Sequence, residues 1–309
     1  MENPEISIVI PLYNEESSFN LLVERITAIL QTSPTSIQVV LVNDGSRDNT
    51  PYLMKMLSDK DLRFRSVFLS RNYGHQIAVS AGMYHTTATE AIMIIDGDLQ
   101  DPPELIHDFY AKIKEGFDVV YAIRKNRKEN FVLKFAYWAY YRLQKMVSNF
   151  NIPIDSGDFC MMSKRVKDIM ISMPEESRYL RGMRSWVGFK QFGFAYDRSK
   201  RQAGQSNYSL KKLMELAFNG IFNFTRFPIK VMYRLGAISI IASVLYLMYL
   251  LFLKFTGNIL PQGYISLIFS ISFFSGVQLI SLGLIGEYVY RTYNQVRERP
   301  LFIVDKIIN

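Results

Sequence analysis

A chain of 309 residues is long enough for about two domains, and 49% hydrophobic residues supply cores for them. With 36 Lys and Arg against 28 Asp and Glu the net charge is +8, which suits phosphates or anionic lipid; no recognised nucleic-acid module accompanies it, so no nucleic-acid partner is expected. The single cysteine, Cys160, excludes an intramolecular disulfide, and with no neighbouring His to activate it, it reads as a small buried residue.

The first residues carry charge before any apolar run and lack a signal peptide's basic start and cleavage site, so the N-terminal region is expected in the cytoplasm. From residue 5 to about 123, short β-branched runs at 6–10, 37–42, 63–69, 91–95 and 119–122 alternate with segments of helical period, such as Leu21, Leu22, Ile26, Ile29 and Leu30. This alternation predicts a mostly parallel sheet with helices on both faces, whose ligands sit beyond the carboxyl ends of the strands. Two of those ends carry acid. Asp44 follows the second run in VNDGS, and Asp96 and Asp98 follow the fourth in IIDGDLQDPPE, with Asp101 just before Pro102 and Pro103. Carboxylates one residue apart can both reach a hard cation, Mg²⁺ or Mn²⁺, that would also hold a diphosphate; a solvated Asp/Gly turn is the plain alternative. G-x-G-x-x-G does not follow the first run, and no G-x-x-x-x-G-K-S/T occurs, so neither a dinucleotide fold nor a phosphate loop is supported.

Beyond the sheet, residues at about 131–150 place Phe131, Phe135, Ala139, Leu143, Met146 and Phe150 at helical spacing, with Tyr and Trp among Lys134, Arg142 and Lys145. Such a helix either packs on a core or lies in a membrane interface. A second amphipathic helix, 209–229, stands immediately before an apolar run, which favours the interface. Two uncharged runs follow, 235–253 and 264–286, the cores of spans expected at about 233–253 and 264–286. At about 1.5 Å per residue each can cross a hydrocarbon core of about 30 Å. Arg226, Lys230 and Arg234 precede the first and Arg291, Arg297 and Arg299 follow the second, so both ends are expected in the cytoplasm. The division is 1–208 for a cytoplasmic α/β domain, 209–229 for the interfacial helix, 230–290 for a two-helix transmembrane hairpin and 291–309 for a cytoplasmic tail. The expected location is the inner (cytoplasmic) membrane, as a multi-pass protein.

IVIPLYNEE, VNDGSRDNT, LSRNYGHQIAVSAG, IIDGDLQDPPE and SGDF, in this order and at these separations, resemble the polyisoprenyl-phosphate glycosyltransferases of glycosyltransferase family two, of the bactoprenol glucosyltransferase and dolichol-phosphate mannose synthase type. The match covers nearly the whole chain and implies a GT-A-like, nucleotide-sugar-binding domain. By that resemblance Pro11, Tyr13 and Glu15 would bind substrate, Asp44 would recognise the nucleotide's base or ribose, and Asp96 and Asp98 would hold the metal and diphosphate. Gln100 would lie near the donor sugar and serve the transfer with Asp98. Arg124 would face the phosphates, where an ordinary surface arginine in IRKNRKEN is the alternative. His75 stands where relatives often carry Lys and is set aside as a satisfied loop histidine. Asp158 in SGDF is the acceptor-side candidate, as a base or an orienting group. Arg201, Ser206 and Tyr208 in RQAGQSNYSLKKL would close over pyrophosphate or lipid phosphate. The tail RPLFIVDKI resembles an element that packs on a neighbouring subunit, so a homo-tetramer is expected.

The activity this implies is metal-dependent, inverting transfer of a sugar from a nucleotide diphosphate sugar, UDP-glucose or another UDP-hexose, to undecaprenyl or polyisoprenyl phosphate for cell-envelope glycans. A processive polysaccharide synthase would share the DGD loop, but it should carry Q-x-x-R-W, and the nearest approach is Arg184-Ser185-Trp186. A non-catalytic, membrane-anchored nucleotide-sugar binder would be expected to have lost some of Asp44, Asp96, Asp98 or Asp158, and all four are present.

Overall fold

The computed structural model describes residues 3–124, 156–176, 178–197, 227–256 and 263–309. These fall into two compact units, residues 1–217 with 300–309, and residues 218–299.

The first unit is built on one eight-stranded sheet, ordered β7-β5-β6-β4-β1-β2-β3-β8. β1 (Ile6–Leu12), β2 (Ile37–Asn43), β3 (Phe64–Leu69) and β4 (Ala91–Ile94) are parallel to their neighbours in this group, as their alternation with α1 (Glu16–Thr32), α2 (Thr50–Lys60) and α3 (His75–Tyr84) requires. β1 lies at the centre, and its alternating side chains serve both faces. Ile6, Ile8, Ile10 and Leu12 join Phe19, Leu22, Ile26 and Ile29 of α1 in the core, while α3 packs on β1 and β2. Burying an aliphatic side chain of this size contributes about 1.5–3 kcal/mol, which makes the β1–α1 layer the mechanical base of the site above it.

The sheet is mostly parallel, as expected, and its antiparallel pairs lie on both flanks. β5 (Val119–Arg124) is not the neighbour of β4. β6 (Ser156–Ser163) runs antiparallel between them, placing Cys160 opposite Ile94 and Tyr121, and β7 (Gln191–Tyr196) completes that edge parallel to β5. A 3-10 turn (Pro103–Leu105) and α4 (Ile106–Lys114) lead from β4 to β5, and α5 (Lys164–Ser172) and α6 (Leu180–Val187) link β6 to β7. The strand character of SGDFCMMS is hidden in the sequence by Gly157 and Asp158, which break the apolar run.

At the other edge, β8 (Val304–Ile308) pairs antiparallel with β3, and Ser70 donates its N–H to Ile303 O at 3.0 Å. The tail expected to pack on a neighbouring subunit is thus the eighth strand of the chain's own sheet, where its backbone satisfies the open edge of β3. It carries no argument for a tetramer.

The second unit holds α7 (Phe227–Phe255) and α8 (Tyr264–Val296), joined sideways by the Ser281 hydroxyl donating to Met232 Sδ at 3.4 Å. Large apolar side chains such as Ile238, Ile241, Leu245 and Phe252 on α7, and Leu279, Ile280, Leu282 and Ile285 on α8, are exposed. Among the described residues one helical segment, Phe273–Val296, is long and apolar enough to cross a membrane, and Arg234–Tyr246 is a shorter apolar stretch. The expected interfacial helix at 131–150, and residues 209–226 of the second, lie outside the described residues.

Candidate active site

The connections leaving the carboxyl ends of β1 and β2 lock onto each other. Asn14, at φ 55°, donates its backbone N–H to Ser46 Oγ at 3.0 Å, and its Oδ1 accepts the Arg47 N–H at 2.8 Å. Glu15 donates its N–H to Thr50 Oγ1 at 3.0 Å, and its Oε2 accepts the Ser18 hydroxyl at 2.6 Å. PLYNEE and NDGSRDNT therefore form one surface, with Pro11 buried opposite Val42 and Tyr13 exposed.

Asp44 turns inward and is only 3% exposed. Its Oδ1 accepts the Tyr73 N–H at 2.7 Å, its Oδ2 the Gly74 N–H at 2.9 Å, and its carbonyl accepts Asn72 Nδ2 at 3.0 Å. Burial raises its pKa and prevails over those N–H groups and over the charges of His75 and Arg71. Gly45, at φ 67°, lets this happen: a Cβ there would stand 2.5 Å from Asn72 N. The first task of Asp44 is to fix the β3–α3 loop, and any bond to a nucleoside would have to be added to these two.

That loop delivers His75, the first residue of α3, to the end of β4. His75 Nε2 is 2.9 Å from Asp96 Oδ1, and Nδ1 is 4.0 Å from Asp158 Oδ2. Desolvation lowers the pKa of the imidazole, but the hydrogen bond and charge of Asp96, with the charge of Asp158, outweigh it and push it up to about 9. Gly97 allows the DGD turn to close over β1, since a Cβ would lie 2.5 Å from Leu12 Cδ2. Leu99 holds φ 56°, a strained value for a branched residue, and is kept there by burial of its side chain. Asp98 Oδ1 accepts the Gln100 N–H at 3.2 Å. Asp101, only 1% exposed, accepts a short hydrogen bond from the Tyr196 hydroxyl and ties the turn to β7, so it is a structural residue.

Among the described residues no three His, Cys, Asp or Glu side chains converge into a metal cage. Asp96 and Asp98 still fit Mg²⁺ or Mn²⁺ in a site of another kind. Both offer hard carboxylate oxygens from a partly exposed turn, and a bound diphosphate and water would complete the coordination, as these cations accept.

Asp158, on β6, stands on the far side of His75 with 7% of its side chain exposed. Arg181 reaches it from α6 with Nε at 2.8 Å from Oδ1 and Nη2 at 3.1 Å from Oδ2, while Gln76 Nε2 donates to Oδ2 at 3.2 Å. Burial alone would raise its pKa; the charge and hydrogen bonds of Arg181, then the charges of His75 and Arg184, hold it well below the usual carboxylate range. Arg184 is buried and lies over the Tyr121 ring at 5.3 Å, and it lines a small cavity with Asp158, Cys160 and Arg181. Burial pushes the Cys160 thiol up, which agrees with a packing role. Arg124 closes β5 in register with Tyr196. Arg201, Ser206 and Tyr208 lie outside the described residues.

A family model described as "Glycosyl transferase family 2" matches residues 7–169, from β1 through most of α5. The chain belongs to glycosyltransferase family 2. Over 98% of its length it is 41% identical to the uncharacterized glycosyltransferase YkcC of Bacillus subtilis, covering 94% of that protein. It is 33% identical, over 98% of this chain and 99% of the relative, to the prophage bactoprenol glucosyl transferase homolog of Escherichia coli. It is 34% identical, over 98% of both, to the SfII prophage-derived bactoprenol glucosyl transferase of Shigella flexneri. In fold it is similar to the crystal structure of mannosyl-3-phosphoglycerate synthase from Rubrobacter xylanophilus, with a TM-score of 0.51, 14% identity and coverage of 76% of this chain and 75% of that one. The family 2 domain is thus a GT-A-like α/β fold with a mixed, mostly parallel sheet, and the resemblance carried by the five motifs holds.

Within this family 2 site, sequence reasoning passed over three side chains. His75 is set aside in the sequence, although it opens α3 after the loop that leaves the carboxyl end of β3, where ligands gather. Gln76 shares that position. Arg181 belongs to Arg178, Arg181 and Arg184, three cations at helical spacing with no acid among them, a pattern that invites a buried partner. Arg178 spends its guanidinium on the last carbonyls of α5, donating to Met170 O at 2.8 Å and Met173 O at 2.9 Å.

Proposed function

We propose that the chain transfers a hexose, with inversion, from a UDP-sugar, UDP-glucose first among them, to the phosphate of undecaprenol or a related polyisoprenol, for use in cell-envelope glycans. The observation that carries this reading is the joining of two unlike ends at one strand edge. Asp96 and Asp98 stand at one end, suited to a metal and diphosphate, and the Asp158–Arg181 pair stands at the other, suited to the acceptor, with His75 and Gln76 bonded between them. Similarity along 98% of the chain to proteins named bactoprenol glucosyl transferases supports the lipid acceptor.

A divalent cation held by Asp96 and Asp98 would neutralise charge developing on the departing nucleoside diphosphate. Pro11, Tyr13 and Glu15 would line the donor pocket, Asp44 would shape its nucleotide side through the β3–α3 loop, and Gln100 would lie against the sugar. Arg124, Arg201, Ser206 and Tyr208 would contact phosphates. The attacking lipid phosphate, with a second pKa of about 6, is already largely anionic at neutral pH and needs no strong base. Asp158, held ionised by Arg181, is a poor proton acceptor, so its role is to orient Arg181 beside the incoming phosphate.

The apolar, exposed lengths of α7 and α8, with cationic flanks at Arg234 and at Arg291, Arg297 and Arg299, support a hairpin of two membrane spans with both ends cytoplasmic. A cysteine introduced at Asn258 should react with an impermeant reagent from the opposite side; labelling from the cytoplasm overturns the hairpin. The activity is tested with purified protein, undecaprenyl phosphate and a panel of radiolabelled nucleotide sugars in Mg²⁺ or Mn²⁺. Labelled lipid from UDP-glucose, abolished by EDTA, is expected. Full activity in excess EDTA overturns the metal, and no labelled lipid from any donor overturns the acceptor.

A further inference from the structure

Gln76 follows His75 in the first turn of α3, and its side-chain amide is used on both of its ends. Oε1 accepts the backbone N–H of Leu180 at 2.9 Å, the first residue of α6. Nε2 lies 3.2 Å from Asp158 Oδ2 and 3.3 Å from His75 Nδ1. A backbone N–H can only donate, so the Leu180 contact fixes which end of the amide is oxygen, and the Gln76 nitrogen must then face Asp158 as a donor. One planar group thereby spans three elements, α3, β6 and α6. Two of those elements carry the acceptor pair, Asp158 and Arg181, and the third carries His75, which is bound to Asp96. Leu180 and Asp158 are 104 and 82 residues away from Gln76 in sequence.

We propose that Gln76 is a positioning residue that sets the distance between the donor end and the acceptor end, by tying Asp158 and the start of α6 to the turn of α3 that meets Asp96. The inference rests on the transfer reaction proposed above and adds to it the part that fixes its geometry. Misplacement of reacting groups by about 1 Å lowers rate by about 10²-fold without requiring weaker binding. Loss of the tie should therefore show as lost turnover with the donor still bound, and as escape of the activated sugar to water when the acceptor phosphate is out of line.

The test uses the full chain in detergent with Mn²⁺, UDP-glucose and undecaprenyl phosphate. Gln76→Glu keeps an oxygen for Leu180 N–H but sets a carboxylate against Asp158; Gln76→Ala removes both contacts without adding charge. In both, kcat for transfer should fall about 10²-fold, the donor Kd should stay within about threefold, and the ratio of UDP-glucose hydrolysis to transfer should rise. A merely structural residue would lower the thermal midpoint and leave that ratio unchanged. Transfer within about threefold of wild type in both variants, or a loss of kcat that only follows lost donor binding or lost fold, overturns the proposal while leaving the transfer reaction standing. A wild-type protein that binds donor yet makes no glycolipid overturns the reaction, and this inference with it.

Discussion

Asp44 and Asp158 are the same side chain at the same strand edge, 3% and 9% exposed, and their ionisation is pushed in opposite directions. Asp44 is bonded by two neutral N–H groups of a loop, which even with the more weakly acting charges of His75 and Arg71 do not offset what burial takes away. Asp158 is met by Arg181 in two contacts and by two further cations, which more than offset it. Burial sets the direction at Asp44 but not at Asp158, where the charge of the bonded partner decides. The difference also divides the labour of the site. On the function proposed here, the carboxylate that holds a loop by N–H groups shapes the donor pocket, whereas the one that holds an arginine places a cation where the acceptor phosphate would arrive.

The largest effect expected within this contrast comes from a third carboxylate at the donor end. Asp98→Asn keeps the shape of the turn and removes one hard ligand, so transfer should fall at least about 10³-fold while the fold and membrane insertion survive. Metal-dependent binding of nucleotide sugar, read by calorimetry, should fall with it. An Asp98→Asn enzyme that still binds donor through the metal would break the division between the two ends.

Next is Asp158→Asn, which leaves Arg181 with a neutral partner. Turnover should drop about 10²-fold, donor binding should persist, and the acidic limb of the pH-rate profile, near about 6, should remain because it belongs to the lipid phosphate. Disappearance of that limb with donor binding intact would make Asp158 the base and reverse its assignment. Loss of donor binding would instead move Asp158 to the nucleotide side.

These contrasts were only partly legible in the chain. The parallel half of the sheet could be read because Ile6, Val9, Val39 and Ile92 lie in short apolar runs between helical periods, a local pattern, and the acids at their ends followed from it. Asp101 stands in the same acidic turn, and its contact with Tyr196, 95 residues away, is not legible in the sequence. β6 escaped because Gly157 and Asp158 interrupt its pattern, and its antiparallel insertion between β4 and β5 is a pairing no local run encodes. His75, Gln76 and Arg181 each derive their meaning from partners between 21 and 104 residues distant. Residue type and spacing name a carboxylate; they do not name the cation beside it.

A smaller effect is expected at Asp44. Asp44→Asn replaces one accepting oxygen with an NH₂ group that faces the N–H of Tyr73 or Gly74, so one buried donor loses its partner. That should cost about 1–3 kcal/mol in chemical denaturation at neutral pH. The Asp98-dependent metal affinity should change little, because the loop rather than the ligand pair is loosened. A drop in metal affinity as large as that of Asp98→Asn would show that Asp44 acts on the cation directly.

The smallest effect discriminates best between the two carboxylates, because it has opposite signs. Asp44 has a folded pKa above its ordinary 3.8, so the folded protein favours its protonated form. Its contribution to stability is present below 3.8 and is lost as pH rises through the folded pKa. Asp158 has a folded pKa below 3.8, so its contribution is present above that value and is lost as pH falls through the folded pKa. As the pH falls from neutral towards 3.8, the stability of wild type should therefore increase relative to Asp44→Asn, while its margin over Asp158→Asn stays nearly flat. Below about pH 4 the second margin should shrink, because the unfolded chain binds a proton at Asp158 that the carboxylate paired with Arg181 in the folded protein does not. The measurement is the thermal midpoint of the full chain in detergent, wild type and both variants, across that range. Two margins that move together as pH falls would mean that Arg181 does not distinguish the sites, and that the opposite ionisation of these carboxylates is wrong.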